Sequence, residues 1–476
     1  MPRRLAPLAL GLVLAACGHA AAPPPCAPAP ASAPAPTSQR SDRTPIAITP
    51  AQRAEELAFL RRTLEETYAH LELKRAQWGV DLDDLVRRYG PHLARVETWE
   101  EYDSLLLRLV AEMHDSHLSY LREKSGGAAG RHHHVRYTVG LTTVWVENQL
   151  LVSEVAPGSS AAAAGLQPGD RILAIKGQAV ESYFARGLNR RPWSRPEAGM
   201  VDEARLFTPI VLEAEDEARP LLLVVEAPAV GMRAVKLALV AMEPRERAPV
   251  ELAWDGDVAI LTLRTFERGQ PSVHRAIAAA FEAIRARAKG LVLDLRHNRG
   301  GIDRIAHSVI GHLTAKPVVI GWYRVRMSER ALAERPSWRK LTRGADGFST
   351  PTPMSVDPEG PRGFAGPVAA LVDIGCRSAC ETLAAGLKST GLATLVGERT
   401  AGTSGAPIKV KLPHSGARVG VPTWSSTTRE GQPIEGVGVS PDVVVPVARA
   451  DVAASADPQR RRALAIVRAK LGRPAR

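Results

Sequence analysis

Two short runs of this chain combine residue types that acyl-transfer chemistry requires. The run PVAALVDIGCRSACE at 367–381 reads as a strand, a tight turn and a helix, with Ser378 in the turn. A hydroxyl at a helix N-terminus meets unpaired N–H groups and the positive end of the helix dipole, which favour developing negative charge. Serine is also a preferred N-cap, and on this run alone capping is the better reading of Ser378. The run LVLDLRHNRGG at 291–301 shifts that balance, because an apolar strand interrupted by Asp294 ends in Gly300-Gly301. Paired glycines let backbone N–H groups approach a reacting atom closely, as an oxyanion hole requires. Phosphate binding is the rival use of a glycine turn, but no Gly-Lys-Ser/Thr accompanies it.

The elements that must position these runs fall into blocks. Residues 49–130 read as a helical bundle, opened by the capping box Thr49 to Gln52 with Pro50 at the first helical position. Leu57, Leu60, Leu64, Tyr68 and Leu71 follow at helical spacing, and Thr98 with Glu101 opens another helix bearing Tyr102, Leu106, Leu109 and Met113. Residues 135–230 change to short strands and turns, and GLQPGDRILAI at 165–175 resembles the PDZ pattern. Such a module adds an extended peptide to a sheet edge and captures its terminal carboxylate on backbone N–H groups. Gly140 and Leu141, within Val139 to Thr142, are the candidate carboxylate loop. Residues 250–448 alternate strands and helices, as an α/β layered domain does. The segment 322–364 reads as a charged, turn-rich insertion, long enough for a lid, and 449–476 as a basic tail with one short helix. The expected class is therefore a multidomain α+β protein.

Together the runs resemble the family of C-terminal-processing (tail-specific) and tricorn-core serine peptidases. The resemblance spans about 50–448 and rests on LDLRHNRGG at 293–301, SACE at 378–381 and VGERTAG at 396–402. It implies a ClpP/crotonase-like core, Ser378 as nucleophile, and an oxyanion hole from the Ala379 N–H and one N–H of the Gly300-Gly301 turn. Tail-specific members pair the serine with a lysine just after the third motif, but here that stretch is Thr403-Ser404-Gly405. Tricorn-like members use a histidine from the helical bundle, an adjacent serine and a distant glutamate. By resemblance these are His117 and Ser116, within HDSHLSY at 114–120, and Glu435, within PIEGVGVSPD at 433–442. The imidazole takes the Ser378 proton and returns it to the leaving amine, Ser116 orients the ring, and Glu435 polarises Ser116. His114 and His297 are the alternative bases, and Glu381 reads as structural. Substrates are then proteins or peptides, with neither cofactor nor metal. The alternative from another class is a non-catalytic binding or scaffold lipoprotein on the same fold.

The N-terminus points outward from the cytoplasm. Arg3 and Arg4 precede the apolar stretch Leu5 to Ala16, too short to span a bilayer, and Leu14-Ala15-Ala16-Cys17 resembles a bacterial lipobox. The expectation is a signal peptide over 1–16, lipidation at Cys17 and an Ala/Pro-rich tether over 17–48. Gly18 in place of Asp favours the outer over the inner membrane, with the body on the periplasmic face. A net charge of +12 spreads over scattered arginines with no docking motif, so nucleic acid is not an expected partner. The four cysteines are no disulfide framework, and Cys376 and Cys380 leave a bridge open. The His132-His133-His134 run lacks partners at ligand spacing.

Overall fold

The computed structural model describes residues 44–122, 136–211, 220–228, 230–242, 247–267 and 270–472. Cys17, the tether and the 132–134 histidines lie outside the described residues. No helix among the described residues is long and apolar enough to cross a membrane.

Helices Pro50–Thr67, Leu71–Trp78, Leu82–Arg95 and Trp99–Ala111 form the N-terminal bundle. Thr49 and Gln52 cap the first reciprocally, and Thr98 with Glu101 the fourth. Leu57, Leu60, Leu64, Tyr68, Leu106 and Leu109 fill its centre, each such side chain contributing about 1.5–3 kcal/mol by leaving water. The bundle core is not closed by helices alone. A hairpin from far along the chain, Pro407–Lys411 with Arg418–Pro422, inserts Ile408, Val410, Val419 and Val421. The short strand Ser119–Leu121 pairs antiparallel with it, Ser119 opposite Gly420. This pairing ties the segment after the fourth helix to the C-terminal half.

The second block is a sheet in the order Leu141–Val146, Gln149–Val155, Arg171–Ile175, Leu221–Ala227, Gly231–Leu237, all antiparallel neighbours. Leu141–Val146 is an edge strand, and helix Pro196–Val211 lies along it, with the Thr143 hydroxyl donating to the Ala204 carbonyl at 2.6 Å. Gly140 has φ +77, and a Cβ there would sit 2.0 Å from Ser159 Cβ, so glycine is required at this turn.

The third block is a six-stranded sheet. Its order is Val250–Asp255, Val258–Leu263, Gly290–Asp294, Val368–Val372, Thr394–Gly397, Val443–Val444. The first pair is an antiparallel hairpin and all others are parallel. Alternate residues face opposite ways. Leu291, Leu293, Ala370 and Val372 meet helices Gln270–Arg287, Asp303–Leu313 and Ala379–Ser389, whereas Val292, Ala369 and Leu371 meet Ala463, Leu464 and Val467. Those last three belong to helix Pro458–Lys470. The basic tail is thus the cover of the sheet's second face. Residues 322–364 also differ from an open lid. Val318–Val325 and Thr352–Val356 pair antiparallel, and Trp424–Thr428 completes a three-stranded sheet. Buried Val325, Met327 and Leu332 make a small core of their own there, which a charge count over the segment hides.

Candidate functional site

Ser378 occupies the N-cap position of helix Ala379–Ser389, just past the strand Val368–Val372. Its backbone has φ +52 and ψ −124, outside the extended region that a capping serine normally adopts. A non-glycine residue held there costs about 1–3 kcal/mol and persists only where its surroundings enforce it. Several bonds do so. The Ser378 N–H donates to Thr403 Oγ1 at 2.9 Å and to Glu381 Oε2 at 3.3 Å, and the Arg377 N–H donates to the Asn298 carbonyl at 3.0 Å. A Cys376–Cys380 disulfide, the bridge that spacing left open, brackets the turn. The Ser378 hydroxyl makes no cap bond. It lies 3.1 Å from His117 Nε2.

His117 comes from the other end of the chain. It follows the fourth bundle helix by several residues rather than ending it, and leads into the strand paired with Arg418–Pro422. Asp115 shapes the turn, its Oδ1 accepting the His117 N–H at 2.8 Å. Burial pushes the imidazole below its ordinary pKa, partly offset by Asp115, which favours the neutral ring that can accept a proton. Its Nδ1 is buried with no hydrogen-bond partner among the described residues.

Ser116 and Glu435 stand where other bonds engage them. The Ser116 hydroxyl lies 2.9 Å from Ser194 Oγ, not against the imidazole. Glu435 Oε1 accepts from Lys74 Nζ at 2.6 Å and Oε2 from the Ser404 N–H at 2.8 Å. The expected Ser116–Glu435 bond is therefore not formed, because a buried ammonium is the stronger partner for a buried carboxylate. Burial and the nearby Asp115 push the Glu435 carboxyl above its ordinary value while Lys74 pulls it back.

Behind His117 lies a polar cluster that sequence reading missed. Asp115 Oδ2 accepts from Tyr68 Oη at 2.8 Å and lies 2.8 Å from His70 Nδ1. Burial acts to raise the Asp115 carboxyl, but His70, Lys74 and His117 outweigh it and hold it below the carboxylate range. Asp115, His70 and Glu435 have ligand atoms within 4.8 Å of one another, a spacing that could hold a cation. The Lys74 ammonium already supplies positive charge at Glu435. Lys74 had a signal in the sequence: it stands about one helical turn after Leu71, on the buried face of the same helix.

The glycine turn lies against Ser378. A Cβ on Gly300 would stand 2.5 Å from the Arg377 carbonyl oxygen and 2.9 Å from both Ala379 N and Ser378 Cβ. The Gly300 N–H itself donates to Asn298 Oδ1 at 2.8 Å. In this geometry it is engaged, so Gly301 and Ala379 are the donors the turn leaves for a ligand. Glu381, one helical turn in, binds the Thr403 N–H at 2.6 Å, the Gly402 N–H at 2.7 Å and the Thr400 hydroxyl at 2.5 Å. It fastens the 400–403 loop under the serine. Burial raises its carboxyl to about 7 against these donors.

The alternative histidines are engaged elsewhere. His297 pairs with Asp373 at 2.7 Å, which raises its pKa. His114 packs between the tilted rings of Trp78 and Trp193, with centroids 4.6 and 4.3 Å away, and burial lowers its pKa to about 4. In the edge-strand module the Gly140 N–H donates to Thr138 Oγ1 at 3.0 Å, and Leu141 is buried at the start of the edge strand.

The sequence model of peptidase family S41 matches residues 257–445, and that of the PDZ domain residues 151–183. The chain is 27% identical over 417 residues to tricorn protease homolog 1 of Streptomyces coelicolor, covering 83% of this chain and 33% of that protein. It thus spans about a third of that relative's length. It is 27% identical over 410 residues to the chloroplastic C-terminal processing peptidase of Tetradesmus obliquus, covering 83% of this chain and 79% of that one. The crystal structure of mature CPAF shares the fold, with a TM-score of 0.67 at 16% identity over 85% of this chain and 94% of that one.

Proposed function

We propose that this chain, which matches peptidase family S41 over 257–445 and the PDZ domain over 151–183, is a serine peptidase with Ser378 as nucleophile and His117 as general base. The observation that carries this is the 3.1 Å approach of His117 Nε2 to a Ser378 hydroxyl that its own helix leaves uncapped. In the proposed reaction Ser378 Oγ attacks the scissile carbonyl while His117 Nε2 takes the hydroxyl proton. The tetrahedral oxyanion is held by the Ala379 N–H, at the open helix start, and by the Gly301 side of the glycine turn. His117 then protonates the leaving amine, and water, deprotonated by the same nitrogen, releases the acyl-enzyme.

Behind the pair, the nearest support is Asp115, which holds the His117 backbone and carries the charge that favours an imidazolium. Ser116 reaches His117 Nδ1 in this reading only after leaving Ser194, and Glu435 acts through its Lys74 pair. A lysine dyad has no support at position 403, where the Thr403 hydroxyl donates to Glu381 Oε2 at 2.8 Å. Substrates are proteins or peptides. The edge strand Leu141–Val146 supports binding of substrate C-termini in the module, beside Gly140 and Leu141. The Leu14–Cys17 run supports export and lipid attachment at Cys17, facing the periplasm at the outer membrane.

Labelling by a fluorophosphonate probe tests the assignment. The adduct is expected on the Ser378 peptide and absent in Ser378→Ala. A wild-type protein that takes no label supports the non-catalytic binding lipoprotein instead, and a Ser378→Ala variant labelled as well as wild type puts the reactive hydroxyl at another residue.

A further inference from the structure

One stretch of chain touches four segments of this site. The Ser194 hydroxyl meets Ser116 at 2.9 Å, and Arg195 Nη1 donates to the Thr400 carbonyl at 2.6 Å. The Ala198 carbonyl accepts from Arg377 Nη2 at 3.1 Å. One turn further along helix Pro196–Val211, Asp202 Oδ1 accepts from Arg299 Nη1 at 3.1 Å and its Oδ2 lies 2.9 Å from Arg377 Nη1. Arg299 immediately precedes Gly300, and Arg377 immediately precedes Ser378. A single carboxylate therefore joins the residues that flank the two halves of the oxyanion site.

We propose that Asp202 is a positioning residue that sets the spacing between the glycine turn and the Ser378–Ala379 turn; this rests on Ser378 as nucleophile. The charge balance makes the role specific. Arg377 is buried, and Arg299 and Arg205 add like charge nearby. Without Asp202 two guanidinium groups face each other across the site with no carboxylate between them. A buried cation stripped of its partner moves toward water or distorts its backbone, and either motion shifts the N–H groups aimed at the oxyanion. The helix bearing Asp202 is itself held to the PDZ edge strand by the Thr143–Ala204 bond, so the spacing is set from the PDZ side of the molecule.

The test measures fluorophosphonate acylation of Ser378 in the full chain, separating the maximal rate from the half-saturating probe concentration, with urea midpoints alongside. Asp202→Asn is expected to lower the maximal rate about 10- to 100-fold, the cost of a displacement approaching 1 Å, with half-saturation near wild type and a rate loss out of proportion to any fall in urea midpoint. Arg299→Gln, on the more exposed side of the pair, is expected to move the rate the same way, and Asp202→Glu to restore it. Wild-type rates in Asp202→Asn overturn the proposal. So do losses in Asp202→Asn and Arg299→Gln that track their urea midpoints, since that is destabilisation without positioning. A wild-type chain unlabelled at Ser378 overturns the nucleophile assignment and this inference with it, whereas equal labelling of wild type and Asp202→Asn overturns this inference alone.

Discussion

Replacing Lys74 by methionine removes one half of a fully buried ion pair. Lys74 and Glu435 are essentially inaccessible, and their charged atoms lie 2.6 Å apart. At that separation and an effective dielectric near 20, the attraction is about 6 kcal/mol. Each ion also lost several kcal/mol of hydration on burial, so the intact pair contributes little net stability. Removing one partner is different. Among the described residues Glu435 then keeps the Ser404 N–H alone, and an uncompensated buried charge costs about 3–5 kcal/mol. Burial already raises the Glu435 pKa, and losing the ammonium raises it further. A group whose folded pKa is raised is destabilising above its unfolded pKa and regains stability as pH falls and it protonates. Urea denaturation of Lys74→Met should therefore show a loss of about 3–5 kcal/mol at pH 7 that shrinks toward pH 5. The double variant Lys74→Met/Glu435→Leu should recover most of it at pH 7. A single variant within about 1 kcal/mol of wild type, or strictly additive double-variant losses, refutes the reasoning.

Three further outcomes follow from the site. Burial holds His117 below its ordinary pKa, and only the neutral ring accepts the Ser378 proton, so acylation should stay near maximal from pH 8 down to about 6.5 before falling. A midpoint above about 7.5 in the pH profile of probe acylation contradicts this assignment of the base. Gly300→Ala places a Cβ 2.5 Å from the Arg377 carbonyl at a residue with φ +84. It should cut acylation about 100-fold for a shift near 1 Å, and wild-type rates would mean that this turn is not part of the oxyanion site. Glu381→Gln replaces two acceptor oxygens by one oxygen and one donor against four neighbouring donors of the 400–403 loop. It should lower stability by about 1–3 kcal/mol in urea, and an unchanged midpoint would remove Glu381 as the loop's anchor.

Much of the framework was legible because its signals are local. Thr49 and Thr98 announce their helices within four residues, and the near-continuous apolar run Leu291–Leu295 marks a strand buried on both faces. The bonds that arrange the site join residues with no shared period or spacing. Lys74 meets Glu435 across 361 positions, and the hairpin 407–422 fills the bundle core from the opposite end of the chain. Asp202 and Ser194 carry no local signal, because only the docking of helix Pro196–Val211 brings them against the Ser116, Arg299 and Arg377 segments. The Ser116–Glu435 expectation missed for the same reason: each residue found a competing partner, Ser194 or Lys74, that no local pattern displays. The internal sheet and core of residues 322–364 were not legible because exposed charge masks a few apolar residues such as Val325, Met327 and Leu332.

The claim on which all of this depends is that two residues 261 positions apart, His117 and Ser378, form one catalytic unit. Stopped-flow acylation of His117→Ala by a fluorophosphonate, at pH 7.5 and beside wild type, tests it most directly. A fall of about 1,000-fold or more with an unchanged urea midpoint is the predicted result. A rate within about tenfold of wild type would show that Ser378 is activated by some other group.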